Sequence, residues 1–298
     1  MTAFSVSAPA SSANLGAGFD AVALALELRM TAKVVVLPEG AQPQWRAFGP
    51  HAPTHDGLRR DVERAIARIV PDAPPLAVEL ENAIPLGAGL GSSAAAHALG
   101  VAIGAQLVGA LPDDERLVAT VAHLEGHPDN ALAAWYGGAV VGALDGERIV
   151  SLRFAPPDLH AVVVVPALTL STGQARAMLP ESFARADVVF NLQRAALLGA
   201  ALASGRIDAL GAAMCDRLHQ RHRAVAIAGL DEILGLSDPA LVGIALSGAG
   251  PSVLALACDE PERIGARIAA IFARYEMPSR TLTLRPASTG LLVRSGDE

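Results

Sequence analysis

Residues 85–96 read PLGAGLGSSAAA, a run in which Gly87, Gly89 and Gly91 lead into Ser92 and Ser93 and then directly into an alanine-rich stretch. Closely spaced glycines permit left-handed backbone and close approach, and the following stretch predicts a helix that begins at the serines. The first N–H groups of such a helix have no intrahelical partner and sit at the positive end of its dipole. That arrangement binds anions, so a phosphate cradle is the direct reading. The plain alternative is a tight turn with Ser92 as a helix cap.

Two other phosphate loops can be weighed against it. A Walker loop needs a lysine just before its Ser or Thr, and the one lysine of this chain, Lys33, is far upstream on a predicted strand. A dinucleotide fingerprint is approximated by Gly87, Gly89 and Ser92, and would need an acidic residue ending the next strand about 20 residues on. Asp113 and Asp114 have the spacing, but they follow a predicted helix and open another. An NAD-dependent oxidoreductase is the weaker reading for that reason.

Around this loop the pattern predicts strands through residues 4–37, interrupted by a functional loop, SSANLGAGFD. A helix is predicted in GLRRDVERAIARIV, a strand in LAVELEN, and a helix in DDERLVATVAHLE. The turn EGHPDN and the strand-like YGGAVVGAL follow, and Pro156 with Pro157 marks a boundary between domains 1–155 and 156–298. Beyond it come an apolar strand, LHAVVVVPALTL, and a helix-rich segment over residues 183–234. The end reads strand, glycine turn, strand, helix, strand, an α+β second domain.

Composition excludes some classes. With 52% hydrophobic and 18% charged residues a folded enzyme is expected rather than a disordered segment. A net charge of −7, without basic runs, argues against nucleic acid. Cys215 and Cys258 form no CxxC or Cys/His cluster, so a reduced cytoplasmic setting is expected. Residues 94–111 are uncharged but contain His97, Gln106 and glycines, which predicts a buried helix and no membrane partner.

PASSANLGAGFD, PLGAGLGSSAAA and SGAGPS occur in the order seen in the GHMP kinases, and the chain resembles that family over nearly its whole length. EGHPDN with YGG, STGQARAMLP and DRLHQRHR resemble the members that phosphorylate L-homoserine. Ser11 and Ala17 stand where the family usually has Thr and Pro, and Arg221 and His222 near a usual Pro-Tyr pair. The fold implied is α+β, an N-terminal domain like domain 2 of ribosomal protein S5 and a ferredoxin-like C-terminal domain. The activity implied is transfer of the ATP γ-phosphate to the hydroxyl of L-homoserine with Mg²⁺, in a homodimer by family analogy.

The resemblance also implies site roles. Pro85, Gly87, Gly89, Leu90, Gly91, Ser92, Ser93 and Ala94 would form the ATP loop, with Ser93 and Glu125 at Mg²⁺. Arg176 and Arg223 would hold the substrate carboxylate, Asn14 and Asp20 its amino group, and His127, Thr172 and Gly248 would complete the pocket. For the hydroxyl, Asp129 is the candidate base on bare chemistry, whereas Asn130 would serve by positioning alone. SGAGPS would brace the phosphate loop, or be only a hairpin turn. Another GHMP kinase with a different alcohol, and a catalytically silent ligand-binding protein, are the remaining alternatives.

Overall fold

The computed structural model describes residues 3–52, 56–110 and 115–296. β1 (Ala3–Ala13) and β2 (Val22–Val36) pair antiparallel over nearly their full length, with a shift in register between Pro9 and Ala10. Their alternating apolar residues, such as Val6, Ala8, Ala32 and Val34, face the core. β3 (Gln44–Phe48), α1 (Gly57–Ile69) and β4 (Leu76–Asn82) form a crossover unit whose strands are parallel. Leu58, Val62, Ala65 and Ile66 make the helix's buried stripe at spacings of four, three and one.

α2 (Ser92–Leu107) is buried on nearly every side, which is why its sequence is apolar throughout rather than amphipathic. α3 (Glu115–Glu125), α4 (Asp129–Tyr136) and the hairpin of β5 (Ala139–Asp145) and β6 (Arg148–Phe154) follow. The sequence pattern predicts no helix at α4. Its eight residues are too few for a clear period, and Pro128 and the flanking glycines carry turn signals.

The second sheet is built from β7 (His160–Pro166), then α5 (Thr172–Ala177), α6 (Arg185–Ser204), α7 (Leu210–Ala213), α8 (Gln220–Arg223), α9 (Leu230–Leu234), β8 (Leu241–Leu246), β9 (Val253–Ala257), α10 (Pro261–Arg274) and β10 (Ser279–Leu284). Its antiparallel order is β10-β7-β9-β8, the ferredoxin-like arrangement. Val163 and Val165 of β7 enter the core shared with the first sheet, while Val162 and Val164 pack toward Ile264, Ile268 and Phe272 of α10. A strand covered on both faces explains the unbroken VVVV run.

β11 (Leu292–Ser295) returns to the first sheet and pairs with β1, giving the order β11-β1-β2-β4-β3 with β5 on the other part of β2. The first sheet is thus largely antiparallel, which removes the dinucleotide reading; Asp113 and Asp114 lie outside the described residues. By length and composition α6 could cross a membrane. Its Asp187 is paired with Arg221 at 2.7 Å and its Arg194 stacks on Phe190, so these two charges are engaged by the fold.

Candidate active site

The phosphate-loop segment opens α2 at Gly91, whose φ is +69°, with no side chain capping the helix. The Ser92 hydroxyl is therefore not used as a cap. Ala95 N–H is the first to find a helical partner, Gly91 O at 2.9 Å, so the amides of Ser92, Ser93 and Ala94 remain to face a ligand. Glycine is required at two positions here. A Cβ at Gly91 would lie 2.1 Å from Ser11 Oγ, and one at Gly89 would lie 2.2 Å from Ser247 O.

Those neighbours are the other two motifs. Ser11 N–H donates to Leu90 O at 3.1 Å, and the Ser247 hydroxyl donates to Gly89 O at 2.7 Å while lying 2.9 Å from Ser12 Oγ. SGAGPS is thus both the β8–β9 connection and the brace of the loop. The serine at position 11 keeps a hydroxyl, and that hydroxyl donates to Asn130 Oδ1 at 2.8 Å. The Asn130 amide Nδ2 makes no hydrogen bond among the described residues.

At the end of α3, Glu125 Oε1 accepts from Ser93 Oγ at 2.7 Å and from His97 Nδ1 at 2.5 Å. Burial pushes this carboxyl up, but the bonds from His97 and Ser93 outweigh it and hold Glu125 below its ordinary value. A carboxylate and a hydroxyl beside unpaired helix amides form an oxygen donor set suited to a magnesium ion shared with phosphate.

Across the cleft, Asn14 has φ +71°; its side chain donates to Gly248 O at 2.8 Å and accepts from Asp20 N–H at 3.0 Å. His127 Nδ1 donates to Asp129 Oδ1 at 2.6 Å, and the same oxygen accepts from Asn130 N–H at 2.7 Å. Burial pushes His127 down, yet the bond to Asp129 more than offsets it, so the imidazole is held above its ordinary value. Polar atoms of Asp20, His127 and Asp129 lie within 4.8 Å of one another, a patch that favours a cation.

The opposite charge comes from α5 and α8. Arg223 is only 2% exposed, and its guanidinium donates to Gly248 O at 3.1 Å and to His219 Nδ1 at 3.0 Å. Among the described residues no carboxylate lies within 4 Å of it, and burial pulls its pKa down to about 10. Arg176 reaches Asp20, and Phe19 lies beneath both guanidiniums.

All the residues expected at the site line this one cleft except Pro85 and Ala94. Pro85 faces a neighbouring depression, and the Ala94 methyl group is fully buried in the core, which leaves its backbone N–H as its contribution. Sequence reasoning missed Ser11, His97 and His219 as parts of the site. His97 had one signal, its position one helical turn after Ser93 on the face that carries the serine.

A lysine-free glycine loop at a helix N-terminus, beside a carboxylate and across from adjoining cationic and anionic side chains, defines a small-molecule phosphotransferase. The family model of the GHMP kinases N terminal domain matches residues 59–138. A homoserine kinase of Deinococcus radiodurans is 45% identical over 84% of this chain and 83% of its own length. One of Moorella thermoacetica is 37% identical over 97% of this chain and 99% of its own. The crystal structure of homoserine kinase from Cytophaga hutchinsonii superimposes with a TM-score of 0.81 at 25% identity, covering 98% of this chain and 97% of that one. The chain belongs to the GHMP kinase family, among its homoserine kinases. It is accordingly an ATP-dependent kinase that acts on an alcohol.

Proposed function

We propose that this protein transfers the γ-phosphoryl group of ATP to the hydroxyl of L-homoserine, giving ADP and O-phospho-L-homoserine. The observation that carries the choice of acceptor is Arg223, a buried guanidinium with no carboxylate within 4 Å among the described residues. A buried cation calls for an anion, and a substrate carboxylate supplies one in bidentate form. The side-chain oxygens of Asn14 and Asp20 accord with the ammonium of the same amino acid. A sugar or mevalonate lacks that ammonium.

In this reading the loop amides from Gly89 to Ser93 hold the ATP phosphates, and Ser93 with Glu125 holds Mg²⁺, which when bound neutralises charge on the β- and γ-phosphates. Thr172, at the start of α5 on the cleft wall, helps orient the acceptor. Asp129 is engaged by His127 and by the Asn130 amide, which suits it to holding the first turn of α4 rather than to taking a proton. Asn130, fixed through Oδ1 by Ser11, positions the reacting oxygens with its amide. The hydroxyl proton then passes to a phosphoryl oxygen as the new P–O bond forms. The free thiols Cys215 and Cys258 accord with a reducing cytoplasm.

The test is ADP release with homoserine, mevalonate, galactose and shikimate as acceptors. Homoserine should exceed the others in kcat/KM by at least roughly 10²-fold, because none of the rivals brings an ammonium to Asp20 and galactose also leaves the buried arginine unmatched. Equal turnover of an acceptor without an amino group would overturn the assignment.

A further inference from the structure

His97 stands out because α2 is otherwise lined by small apolar residues at this level, with Ala94, Ala95, Ala96 and Ala98 all buried around it. The ring is 4% exposed. Its Nε2 makes no hydrogen bond and lies 3.9 Å from Asp61 Oδ1 on α1. Burying an imidazole nitrogen without a partner costs stability that another alanine would not. What the ring gains is on its other side, the 2.5 Å contact from Nδ1 to Glu125 Oε1. A carboxylate only accepts, so Nδ1 carries the hydrogen.

The same Oε1 receives the Ser93 hydroxyl, so two donors converge on one carboxylate oxygen. Oε2 makes no hydrogen bond among the described residues. A carboxylate held through one oxygen cannot rotate freely, and its second oxygen keeps a constant direction. Ser93 and His97 are four residues apart on one helix, so α2 supplies both constraints at no cost in loop ordering.

We infer that His97 is a positioning residue for the metal, fixing the carboxylate of Glu125 through Oε1 so that Oε2 remains for Mg²⁺. This rests on the reading of Glu125 as the metal's carboxylate. Asparagine places an amide where Nδ1 stands, glutamine places one where Nε2 stands, and leucine supplies neither. The variants therefore separate the bond from mere filling of space.

The experiment titrates Mn²⁺, followed by electron paramagnetic resonance, into the whole protein with a non-hydrolysable ATP analogue present. His97→Asn should bind Mn²⁺ within about threefold of the unchanged protein, while His97→Gln and His97→Leu should bind it roughly 10- to 100-fold more weakly. Metal-free ADP should bind all of them alike, and in turnover the Mg²⁺ requirement should rise with the homoserine KM unchanged. Thermal melts identify variants that fold, and the Asn and Gln pair carries the test if leucine is not tolerated. Equal Mn²⁺ affinity in the Asn and Gln variants, or an equal loss of metal-free ADP binding, overturns the inference. Glu125→Gln distinguishes the two levels: if it leaves Mn²⁺ affinity intact, the metal reading fails and this inference with it. If it weakens Mn²⁺ while every His97 variant is normal, only this inference fails.

Discussion

Arg176 Nη2 donates to Asp20 Oδ1 at 2.9 Å, tying α5 to the loop after β1 across 156 positions of sequence. These are the groups proposed to meet the two opposite charges of the acceptor. Their side chains are 40% and 32% exposed, and an ion pair in that setting contributes only about 0–1 kcal/mol. A zwitterionic substrate can therefore exchange with it at small cost. Arg176→Ala should raise the homoserine KM about 10- to 100-fold, the equivalent of one charge-assisted hydrogen bond, and leave the ATP KM unchanged. Steady-state kinetics with each substrate varied checks this, and an equal rise in the ATP KM would remove Arg176 from the acceptor site.

The loop itself offers a steric prediction. Gly91→Ala puts a methyl group 2.1 Å from Ser11 Oγ at a residue whose φ is +69°. The serine must move, and with it the bond that holds Asn130. ATP-dependent turnover should fall by roughly 10²-fold, as for a small misplacement of reacting groups, with a stability loss of about 1–3 kcal/mol. Urea unfolding and single-turnover rates measure the two losses separately.

Asp129 and Asn130 are adjacent but imply different chemistry. Loss of a general base lowers the rate by about 10²- to 10⁴-fold and removes a titrating limb from the kcat profile. With Asp129 Oδ1 already accepting two hydrogen bonds, Asp129→Asn should lower kcat without removing a limb. Asn130→Leu should lower kcat more, again with unchanged pH dependence. An Asp129→Asn variant that alone loses a limb would restore the base mechanism.

A pH dependence of stability follows from α8. Burial holds His219 below its ordinary 6.5, in keeping with Nε2–H donating to Gly16 O at 2.9 Å and Nδ1 accepting from Arg223. As pH falls below 6.5 the unfolded chain takes up a proton that the folded chain does not, so stability falls. Burial pushes Asp216 up, but His219, the amides of Gln220 and Leu218, and Asn191 outweigh it and hold Asp216 below its ordinary 3.8. Its contribution is present above 3.8 and is lost as pH drops from there toward the folded value. The sign for His127 is opposite, since its raised pKa gives stability that disappears as pH rises past 6.5. In thermal melts from about pH 7 down to about pH 2, His219→Gln should flatten the decline that sets in below 6.5, and Asp216→Asn should alter it only below 3.8.

The residues of the phosphate loop, α1, α2, β4 and α10 were legible because each carries a local cause: glycines at close approach, an apolar stripe, or an unbroken apolar run. β3, β6 and β11 carried no such cause. They are short and half exposed, and β11 exists only because β1 offers it an edge. The polar groups of the site were nameable from the motifs, since the residue types are printed in the chain. How they are satisfied was not, because Ser11 meets Asn130 across 119 positions and Ser247 meets Gly89 across 158. The same applies to the bond of His97 to Glu125, and to the absence, among the described residues, of a carboxylate within 4 Å of Arg223. A side chain's charge and hydrogen-bonding capacity belong to its sequence, but whether folding spends that capacity internally or leaves it for a ligand depends on neighbours that only the tertiary structure brings within about 3 Å.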